Sequence, residues 1–339
     1  MQKKVTQNDV AREAGVTRSM VSYVISGNSE RSVAPETRER ILQVIERLGY
    51  RPNKAAQALQ QGNEAFAKNK IGVIICNAEV FIRPYYAEIL AGIHTAAHKN
   101  NYHIGFIRFF SELQNPILFN ELIHTEEIGG LILVSLDQCV KSEADKKIIE
   151  QIKQRIPKIV CVEWLYNGLS SVGFDRQNAA KKAALYILNK HFFPIAYIGE
   201  TDDRISGVFQ AFAESQVEIS NFISQLPADN LSSGYNAISE LDSKGKMPRG
   251  IVCGSDEVAI GVLHYLNEKK IAVPEQVALI SIDNIEGSAY ANPSITTINV
   301  QKTQMGARAV EMIVSGTAVQ GENAINISLP TNLVVRESS

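Results

Sequence analysis

Two short helical patterns stand at the beginning of the chain, separated by one glycine. Thr6, followed three residues later by Asp9, forms a capping-box pattern that predicts a helix starting near Gln7. Gly15 supplies the turn, and Thr17 can cap a second helix. Apolar residues recur at helical spacing in both segments: Val10, Ala11 and Ala14, then Met20, Val21, Val24 and Ile25. The pattern predicts two helices that cross at close range, as in a helix-turn-helix.

A third helix is predicted after these two. Pro35 suits its first position, and Gly49 ends it. The apolar stripe between them consists of Ile41, Val44, Ile45 and Leu48. Because three short helices share only a small core, residues 1–51 are predicted to form a small all-α helix-turn-helix headpiece.

Basic residues are concentrated at the N-terminus, where the first 62 residues carry ten Lys and Arg against six Asp and Glu. A basic head on an acidic body favours contact with a polyanion. In a helix-turn-helix the second helix enters the major groove of DNA by its N-terminal end, where Arg18 can donate two hydrogen bonds to a guanine edge. The alternative is an ordinary helical bundle with a solvated charged surface. The predicted DNA contacts of the headpiece are Thr6, Thr17, Arg18, Ser19, Ser22 and Tyr23.

A further short helical pattern covers residues 52–61. Pro52 and Asn53 can begin a helix, but two turns are marginal in water without a partner surface. We therefore predict a hinge that is coil when free and helical on DNA, with Leu59 as an apolar wedge in the minor groove. A plain linker is the alternative. The predicted DNA contacts of this hinge are Asn53, Ala56, Gln57 and Leu59.

Residues 62–339 alternate short apolar runs with helical patterns, which is typical of an α/β domain with buried parallel strands. The runs are residues 71–76, 104–106, 131–134, 159–162, 195–198, 250–253 and 277–282, and a helix is expected over residues 86–100. We expect two lobes, an N-lobe of about residues 70–164 and 295–322 and a C-lobe of about residues 165–294 and 323–339. In such sheets ligands bind beyond the carboxyl ends of the strands.

The segments "DVAREAGVTRSMVSYVISG" and "VAPETRERILQVIERLGYRPNKAAQAL" resemble the LacI/GalR family of bacterial transcription regulators, and the resemblance continues to "LPTNLVVRESS" at the C-terminus. It implies a headpiece, a hinge helix and a two-lobed effector domain similar to periplasmic sugar-binding proteins. It also implies a homodimer, or a dimer of dimers, that binds palindromic double-stranded operator DNA and a small-molecule effector between its lobes. In the resemblance Arg18, Ser19 and Tyr23 fall on base-reading positions, and Leu59 falls on the intercalating leucine.

Three positions depart from the pattern of the family. Gln57 stands where the family usually has arginine, and Tyr23 stands where arginine is common. Ala34 replaces a serine that usually caps the third helix, and the loss of such a cap costs ~1 kcal/mol.

Polar residues at the ends of the predicted strands are candidates for binding the effector. In the resemblance Arg204 and Gly207 match an R-x-x-G effector motif, and Asp283 matches the carboxylate that follows a G-[FY] pair. A carboxylate and an arginine can each hydrogen-bond two adjacent hydroxyls, while an aromatic face covers a sugar ring. Asp256 also fits a helix cap or a structural bond. The full predicted set is Tyr85, Tyr86, Glu163, Trp164, Arg204, Ser255, Asp256 and Asp283.

Several functions find no support in the sequence. No G-x-G-x-x-G follows the first strand, and neither a P-loop nor a G-x-S-x-G motif occurs, so an enzyme is not expected. His94 and His98 have metal-ligand spacing but no third ligand nearby, and no metal or cofactor is expected. The four cysteines contain no C-x-x-C pair and are expected to be reduced.

The chain has no apolar run of ~18 residues and no secretory signal, so we expect a cytoplasmic protein without membrane contact. The sequence thus predicts a DNA-binding repressor controlled by a sugar. A regulator that responds to a purine or another metabolite is an alternative, since Tyr85, Tyr86 and Trp164 suit either ring. A cytosolic solute-binding protein is a further alternative.

Overall fold

The computed structural model describes residues 5–26, 33–50 and 69–339. Its first part is a three-helix headpiece that consists of α1 (Gln7–Ala14), α2 (Arg18–Ser26) and α3 (Pro35–Leu48). Their apolar stripes meet in one small core, in which Val10, Val21 and Ile41 are fully buried. The predicted hinge contacts Asn53, Ala56, Gln57 and Leu59 lie outside the described residues.

The ends of these helices confirm the sequence prediction. Thr6 and Asp9 form a capping box, in which the Asp9 N–H donates to Thr6 Oγ1 at 3.3 Å and the Thr6 N–H donates to Asp9 Oδ2 at 2.9 Å. Gly15 ends α1 at a φ of 64°, which glycine adopts at no steric cost. Thr17 Oγ1 accepts a hydrogen bond of 3.3 Å from the backbone in the first turn of α2. Ala34 makes no side-chain cap for α3, as its departure from the family implies.

From residue 69 onward the chain divides into two compact units. The strands of the first unit's sheet are β1 (Lys70–Ile75), β2 (His103–Phe109), β3 (Gly130–Val134), β4 (Ile159–Val162), β5 (Ser170–Phe174) and β11 (Asn326–Leu329). They lie in the order β2-β1-β3-β4-β5-β11, and β1 to β5 pair in parallel. The central strands β3 and β4 are buried along their whole length, as their continuous apolar runs predict.

The second unit has a sheet of the same size. Its strands are β6 (Ile195–Ile198), β7 (Phe222–Leu226), β8 (Gly250–Cys253), β9 (Ala278–Asp283), β10 (Thr296–Asn299) and β12 (Asn332–Val334). They lie in the order β7-β6-β8-β9-β10-β12, with β12 antiparallel to β10 and the others parallel. The carboxyl ends of β6, β8 and β9 therefore meet at one edge of this sheet.

Helices connect the strands, as the alternating pattern predicts. They are α4 (Glu79–Ile82), α5 (Pro84–Lys99), α6 (Pro116–Leu122), α7 (Glu143–Arg155), α8 (Arg176–Asn189), α9 (Asp203–Ser215), α10 (Leu231–Ser243), α11 (Asp256–Glu268), α12 (Glu286–Ala289) and α13 (Lys302–Ser315). Short 3-10 turns span Phe110–Gln114, Leu136–Gln138, Ile219–Asn221 and Gly321–Asn323. The helix expected over residues 86–100 is α5.

The pairing of three strands differs from the lobe boundaries that the sequence suggested. β5 and β11 were expected in the C-lobe but lie in the first sheet, with β5 between β4 and β11. β10 was expected in the N-lobe but lies in the second sheet beside β9. The units change after Val172, Lys302 and Asn326, and residues 83–88 belong to the second unit. The physical reason is that β5 and β10 carry polar sequences, SSVGF and TTIN. Their partners are set by long-range pairing, which a local apolar pattern does not reveal.

Two glycines let α10 and α11 of the second unit pack at close range. A Cβ on Gly261 would lie 1.9 Å from the carbonyl oxygen of Leu231, and one on Gly234 would lie 2.4 Å from that of Val258. The two helices therefore contact each other backbone to backbone. This packing positions the first turn of α11, which begins at Asp256.

Candidate DNA-contacting surface and ligand site

The N-terminal end of α2 is the most open part of the headpiece surface predicted to contact DNA. Thr17, Arg18 and Ser19 are exposed there, while Ser22 and Tyr23 are partly buried one turn later. Thr6 lies at the start of α1, where its hydroxyl bonds Asp9 Oδ2 at 2.6 Å. Among the described residues, no carboxylate lies within ion-pair distance of Arg18, so its charge is available to a partner.

Gln7 gives Arg18 its one described hydrogen bond, from the Arg18 Nε–H to Gln7 Oε1 at 3.3 Å. Gln7 also bonds the hydroxyl of Tyr50, the residue that follows α3 and its capping glycine. Burial raises the pKa of Tyr50, and the bond with Gln7 and the charge of Arg18 oppose that rise. Gln7 therefore links the N-terminal end of α2 to Tyr50 of the headpiece core.

At the carboxyl edge of the second sheet, the chain after β9 adopts a strained conformation. Asp283 has a φ of 124° and Asn284 a φ of 56°, which are uncommon values for residues other than glycine. Such strain persists only where surrounding contacts hold it. Lys302 supplies these contacts, because its Nζ donates to the carbonyl oxygens of Asp283 at 2.6 Å and Asn284 at 3.2 Å.

The side chain of Asp283 is buried without a donor. The residue is 6% exposed, and no group in the described parts of the chain donates a hydrogen bond to its carboxylate. Burial raises the pKa of Asp283 well above its ordinary value and Asp256 adds to this, while Arg204, Lys302 and Arg83 act in the opposite direction. A buried carboxylate with unused acceptor capacity is a candidate for binding a ligand.

Asp256, the first residue of α11, is buried in a different way. Its Oδ2 accepts the Ile285 N–H at 2.7 Å, and its Oδ1 accepts the hydroxyl of Thr297 at 2.7 Å and that of Ser281. Burial raises its pKa, and these hydrogen bonds oppose the rise. Because Asp256 is 0% exposed and its oxygens are already bonded, its observed role is structural. This agrees with the alternative that the sequence left open for this residue.

Ser255, the neighbour of Asp256, caps α11. Its Oγ accepts the Val258 N–H at 3.3 Å, as an N-cap serine does. Ser255 is partly exposed, so a ligand contact from this residue stays a prediction.

Arg204 lies in the first turn of α9 and is 8% exposed. Its Nη1 donates to Glu200 Oε2 at 3.0 Å and to Asp202 Oδ2 at 2.9 Å. Its Nε has no hydrogen-bond partner within the described residues. Burial by itself lowers the pKa of Arg204, but Asp202, Tyr197 and Glu200 raise it overall, so the guanidinium stays charged. It therefore keeps donor capacity for a ligand.

Residues 83–88 bring an arginine and two tyrosines into the second unit. Tyr85 and Tyr86 are buried and meet edge to face, with ring centroids 5.2 Å apart. The Arg83 guanidinium carbon lies 5.7 Å from the Tyr86 ring centroid. Since Arg83 also acts electrostatically on Asp283, the tyrosine pair and the buried carboxylate lie in one neighbourhood.

Glu163 and Trp164 follow β4 and belong to the first unit, whereas the other candidates belong to the second unit. Glu163 is buried at a φ of 57°, and its N–H donates to the Val172 carbonyl at 3.0 Å. The Trp164 ring packs on Tyr166, with centroids 4.8 Å apart. Their contact with a ligand stays a prediction.

Three charged residues of this neighbourhood were not in the predicted set. Arg83 stands two residues before the tyrosine pair, and Glu257 follows Asp256, so proximity in sequence could have suggested both. Lys302 gave no such signal, because a lysine at the start of a helix is usually exposed. In the structure it is 2% exposed.

Comparison with known proteins gives two family matches. Residues 6–53 match the bacterial regulatory proteins of the lacI family, and residues 184–339 match the periplasmic binding protein-like domain. The chain belongs to the LacI family. It is therefore a DNA-binding transcriptional regulator that responds to a small-molecule effector, and its relatives are regulators rather than enzymes.

Individual relatives match this LacI-family regulator over nearly its whole length. Catabolite control protein A of Priestia megaterium is 27% identical over 345 residues, which cover 99% of each chain. The structure of the transcriptional regulator CelR with cellobiose has a TM-score of 0.67 at 22% identity and covers 99% of this chain and 100% of that one. The lac repressor dimer, bound to operator and the anti-inducer ONPF, has a TM-score of 0.68 at 22% identity and covers 99% of each chain. These structures share its fold.

Two further findings concern metals and membranes. No group of three His, Cys, Asp or Glu residues in the described ranges could hold a metal ion, and His94 and His98 are exposed on α5. No described helix combines the length and the apolar character that crossing a membrane requires.

Proposed function

We propose that this regulator is a repressor whose operator affinity is controlled by a sugar bound at Asp283 and Arg204. One observation carries the proposal: Asp283 is a buried carboxylate that receives no hydrogen bond from the described residues, and it interacts electrostatically with Arg204, a buried guanidinium whose Nε–H has no partner among them. A hydroxyl group can donate to the first and accept from the second. A molecule with several adjacent hydroxyls therefore satisfies both residues at once.

The energetics favour a hydroxylated ligand over an apolar one. A hydrogen bond to a charged group contributes ~1.5–3 kcal/mol, and a buried polar group that stays unpaired costs a comparable amount. A site of this kind discriminates strongly against analogues that lack the hydroxyl. The cellobiose complex of CelR, which has the same fold, supports a sugar as the class of effector.

At the DNA end, Arg18 and Ser19 are the proposed base-reading residues. Both are exposed on the first turn of α2, the part of a helix-turn-helix that enters the major groove. Regulators of this family bind operator DNA as dimers, so two copies of this weak contact act together on a palindromic site. A regulator of transcription works where the chromosome is, in the cytoplasm.

A purine is the second candidate for the effector, and the tyrosine pair favours it. Tyr85 and Tyr86 present two buried aromatic rings in the neighbourhood of Asp283, and a planar base can pack on such rings. Asp283 would then accept a ring or amino hydrogen of the base in place of a sugar hydroxyl.

Thermal unfolding of the full-length protein tests the proposal against a panel of sugars and nucleobases. A ligand at 100 times its dissociation constant adds ~2.7 kcal/mol to the free energy of unfolding. We expect a sugar to raise the melting temperature of the wild type and to leave that of Asp283→Asn unchanged. A response to a nucleobase alone would replace the sugar by the second candidate. A sugar response that survives in Asp283→Asn would contradict the proposed site.

A further inference from the structure

Each cation that acts on Asp283 already has a carboxylate partner in the second unit. The pairs are Arg83 Nε with Glu257 Oε2 at 2.7 Å, Arg204 Nη1 with Asp202 Oδ2 at 2.9 Å and Glu200 Oε2 at 3.0 Å, and Lys302 Nζ with Glu88 Oε2 at 3.4 Å. Their charges are therefore balanced locally. None of the three is left over to neutralise an additional anion.

Carboxylates outnumber cations in this group. Asp256 and Asp283 have no cation within ion-pair distance in the described structure, so they are surplus to the pairs. Arg176 adds one more positive charge, with its Nη1 at 3.9 Å from Asp202 Oδ2. The six carboxyl groups of these residues still outnumber the four cations when Arg176 is counted.

Lys302 and Arg83 also use their remaining donors on the protein. Lys302 Nζ reaches three backbone carbonyl oxygens, those of Asp283, Asn284 and Val300. Arg83 Nη2 donates to the carbonyl oxygen of Asp229 at 2.9 Å. These two cations therefore stabilise the conformation of the chain rather than bind a ligand.

An anionic group is poorly matched to such surroundings. A phosphate or carboxylate beside Asp283 would lose its hydration and meet another buried carboxylate, and close like charges oppose binding. A hydroxyl or ammonium group brings the hydrogen that the Asp283 carboxylate lacks. Binding of such a group removes an unpaired acceptor instead of adding a second anion.

Given the effector site proposed above, we infer that the regulator accepts an uncharged or amino-bearing sugar and rejects phosphorylated and acidic sugars. The neutral and the amino sugar share one chemistry, a hydrogen donated to Asp283. They differ in whether the donor carries a positive charge. An amino sugar would complete an ion pair with the surplus carboxylate.

The first test compares matched sugars on the full-length protein by calorimetric titration. For each of several hexoses and pentoses, the series contains the neutral sugar, its amino derivative, its phosphate ester and its uronic acid. We expect the neutral or the amino form of one sugar to bind at least tenfold more tightly than its phosphate ester and its uronic acid. A phosphate ester or uronic acid that binds more tightly than its neutral parent would overturn the inference.

The second test uses inorganic phosphate, so it does not depend on knowing the sugar. In Glu257→Gln the Arg83 guanidinium loses its charged partner and becomes available to an anion. We expect phosphate, compared with chloride at equal ionic strength, to raise the melting temperature of Glu257→Gln more than that of the wild type. The exposed Glu286→Gln is the control and should behave as the wild type does.

Two further results separate this inference from the proposed function. If phosphate raises the melting temperature of the wild type and Arg204→Gln abolishes this rise, Arg204 is a cation that is available to anions. That result would overturn the inference. If no sugar of any charge binds, the sugar effector of the proposed function is wrong. The phosphate measurement on Glu257→Gln still decides whether the site excludes anions.

Discussion

Two buried aspartates of the second unit differ in their hydrogen-bond partners, although each lies near the carboxyl end of a buried strand. Asp256 follows β8, and Asp283 ends β9. Around Asp256, at the start of α11, two hydroxyls and one backbone N–H satisfy the carboxylate. Around Asp283, at the end of β9, the backbone is held by Lys302 but the carboxylate receives no hydrogen bond from the described residues. Hydrogen bonds from the protein thus satisfy the Asp256 carboxylate, whereas the Asp283 carboxylate is the one that we propose to bind the effector.

This difference separates a residue that stabilises the fold from one that is proposed to bind a ligand. Burial raises the pKa of both aspartates, so a raised pKa alone does not tell them apart. The hydrogen bonds do. An incomplete buried group costs stability, which is a common feature of binding sites.

The largest effect is expected from Asp256→Ala. The change leaves the Ile285 N–H and the hydroxyls of Ser281 and Thr297 buried without an acceptor. We expect the free energy of unfolding to fall by ~3 kcal/mol or more, measured by urea denaturation. The exposed Glu286→Ala is the control and should change it by less than ~0.5 kcal/mol. A loss for Asp256→Ala as small as the control would remove the contrast between the two aspartates.

The same contrast between partnered and unpartnered charges applies to the headpiece. Arg12 pairs with Asp9 at 2.9 Å, whereas the described bond of Arg18 is to the neutral Gln7. We expect Arg18→Ala to weaken binding to the preferred operator by ~1–3 kcal/mol and to relax base choice at one position. Arg12→Ala should weaken it less. Fluorescence anisotropy on operators with single base changes measures the affinity of both variants. If Arg18→Ala weakens binding to every operator sequence equally, Arg18 contacts only phosphate.

A smaller effect of opposite sign is expected from Asp283→Asn. At pH 7 the variant should be more stable than the wild type by roughly 1 kcal/mol, because it no longer buries a carboxylate without donors. Urea denaturation at pH 7 measures the difference. If the variant is less stable by an amount similar to Asp256→Ala, the Asp283 carboxylate has a structural role instead.

The pH dependence of stability sharpens this prediction. Since burial raises the pKa of Asp283, the folded state holds the proton to a higher pH than the unfolded chain, in which aspartate titrates near ~3.9. The wild type should therefore lose stability as the pH rises from about 4 through the raised native pKa. Asp283→Asn should lose less over the same range, because it lacks this titrating carboxyl group. Parallel pH profiles would show that Asp283 has the same pKa folded and unfolded.

Local signals in the sequence were enough for the headpiece. The capping box of Thr6 and Asp9, the turn at Gly15 and the cap at Thr17 lie within a few residues of one another, so spacing alone predicts them. Continuous apolar runs predicted the central strands for the same reason. The strands β5, β10 and β11 were placed in the wrong lobes, because the strands they pair with are not revealed by a local pattern.

The candidate site was predictable in part. Strand ends and the family resemblance pointed to Asp256, Asp283 and Arg204, and the place of Asp256 at the start of a helix also predicted a structural role for it. The sequence did not reveal which groups bond Asp256. The groups that satisfy Asp256 lie 25 to 41 residues further along the chain. The burial of Lys302 also depends on the fold, since it results from contacts with the chain after β9.

The most direct test of the account measures operator affinity of the full-length wild type and Asp283→Asn, with and without the sugar that stabilises the wild type. We expect both proteins to bind the operator equally without sugar. The sugar should change the affinity of the wild type and leave that of Asp283→Asn unchanged. If Asp283→Asn responds to the sugar as the wild type does, the unsatisfied carboxylate does not control the regulator.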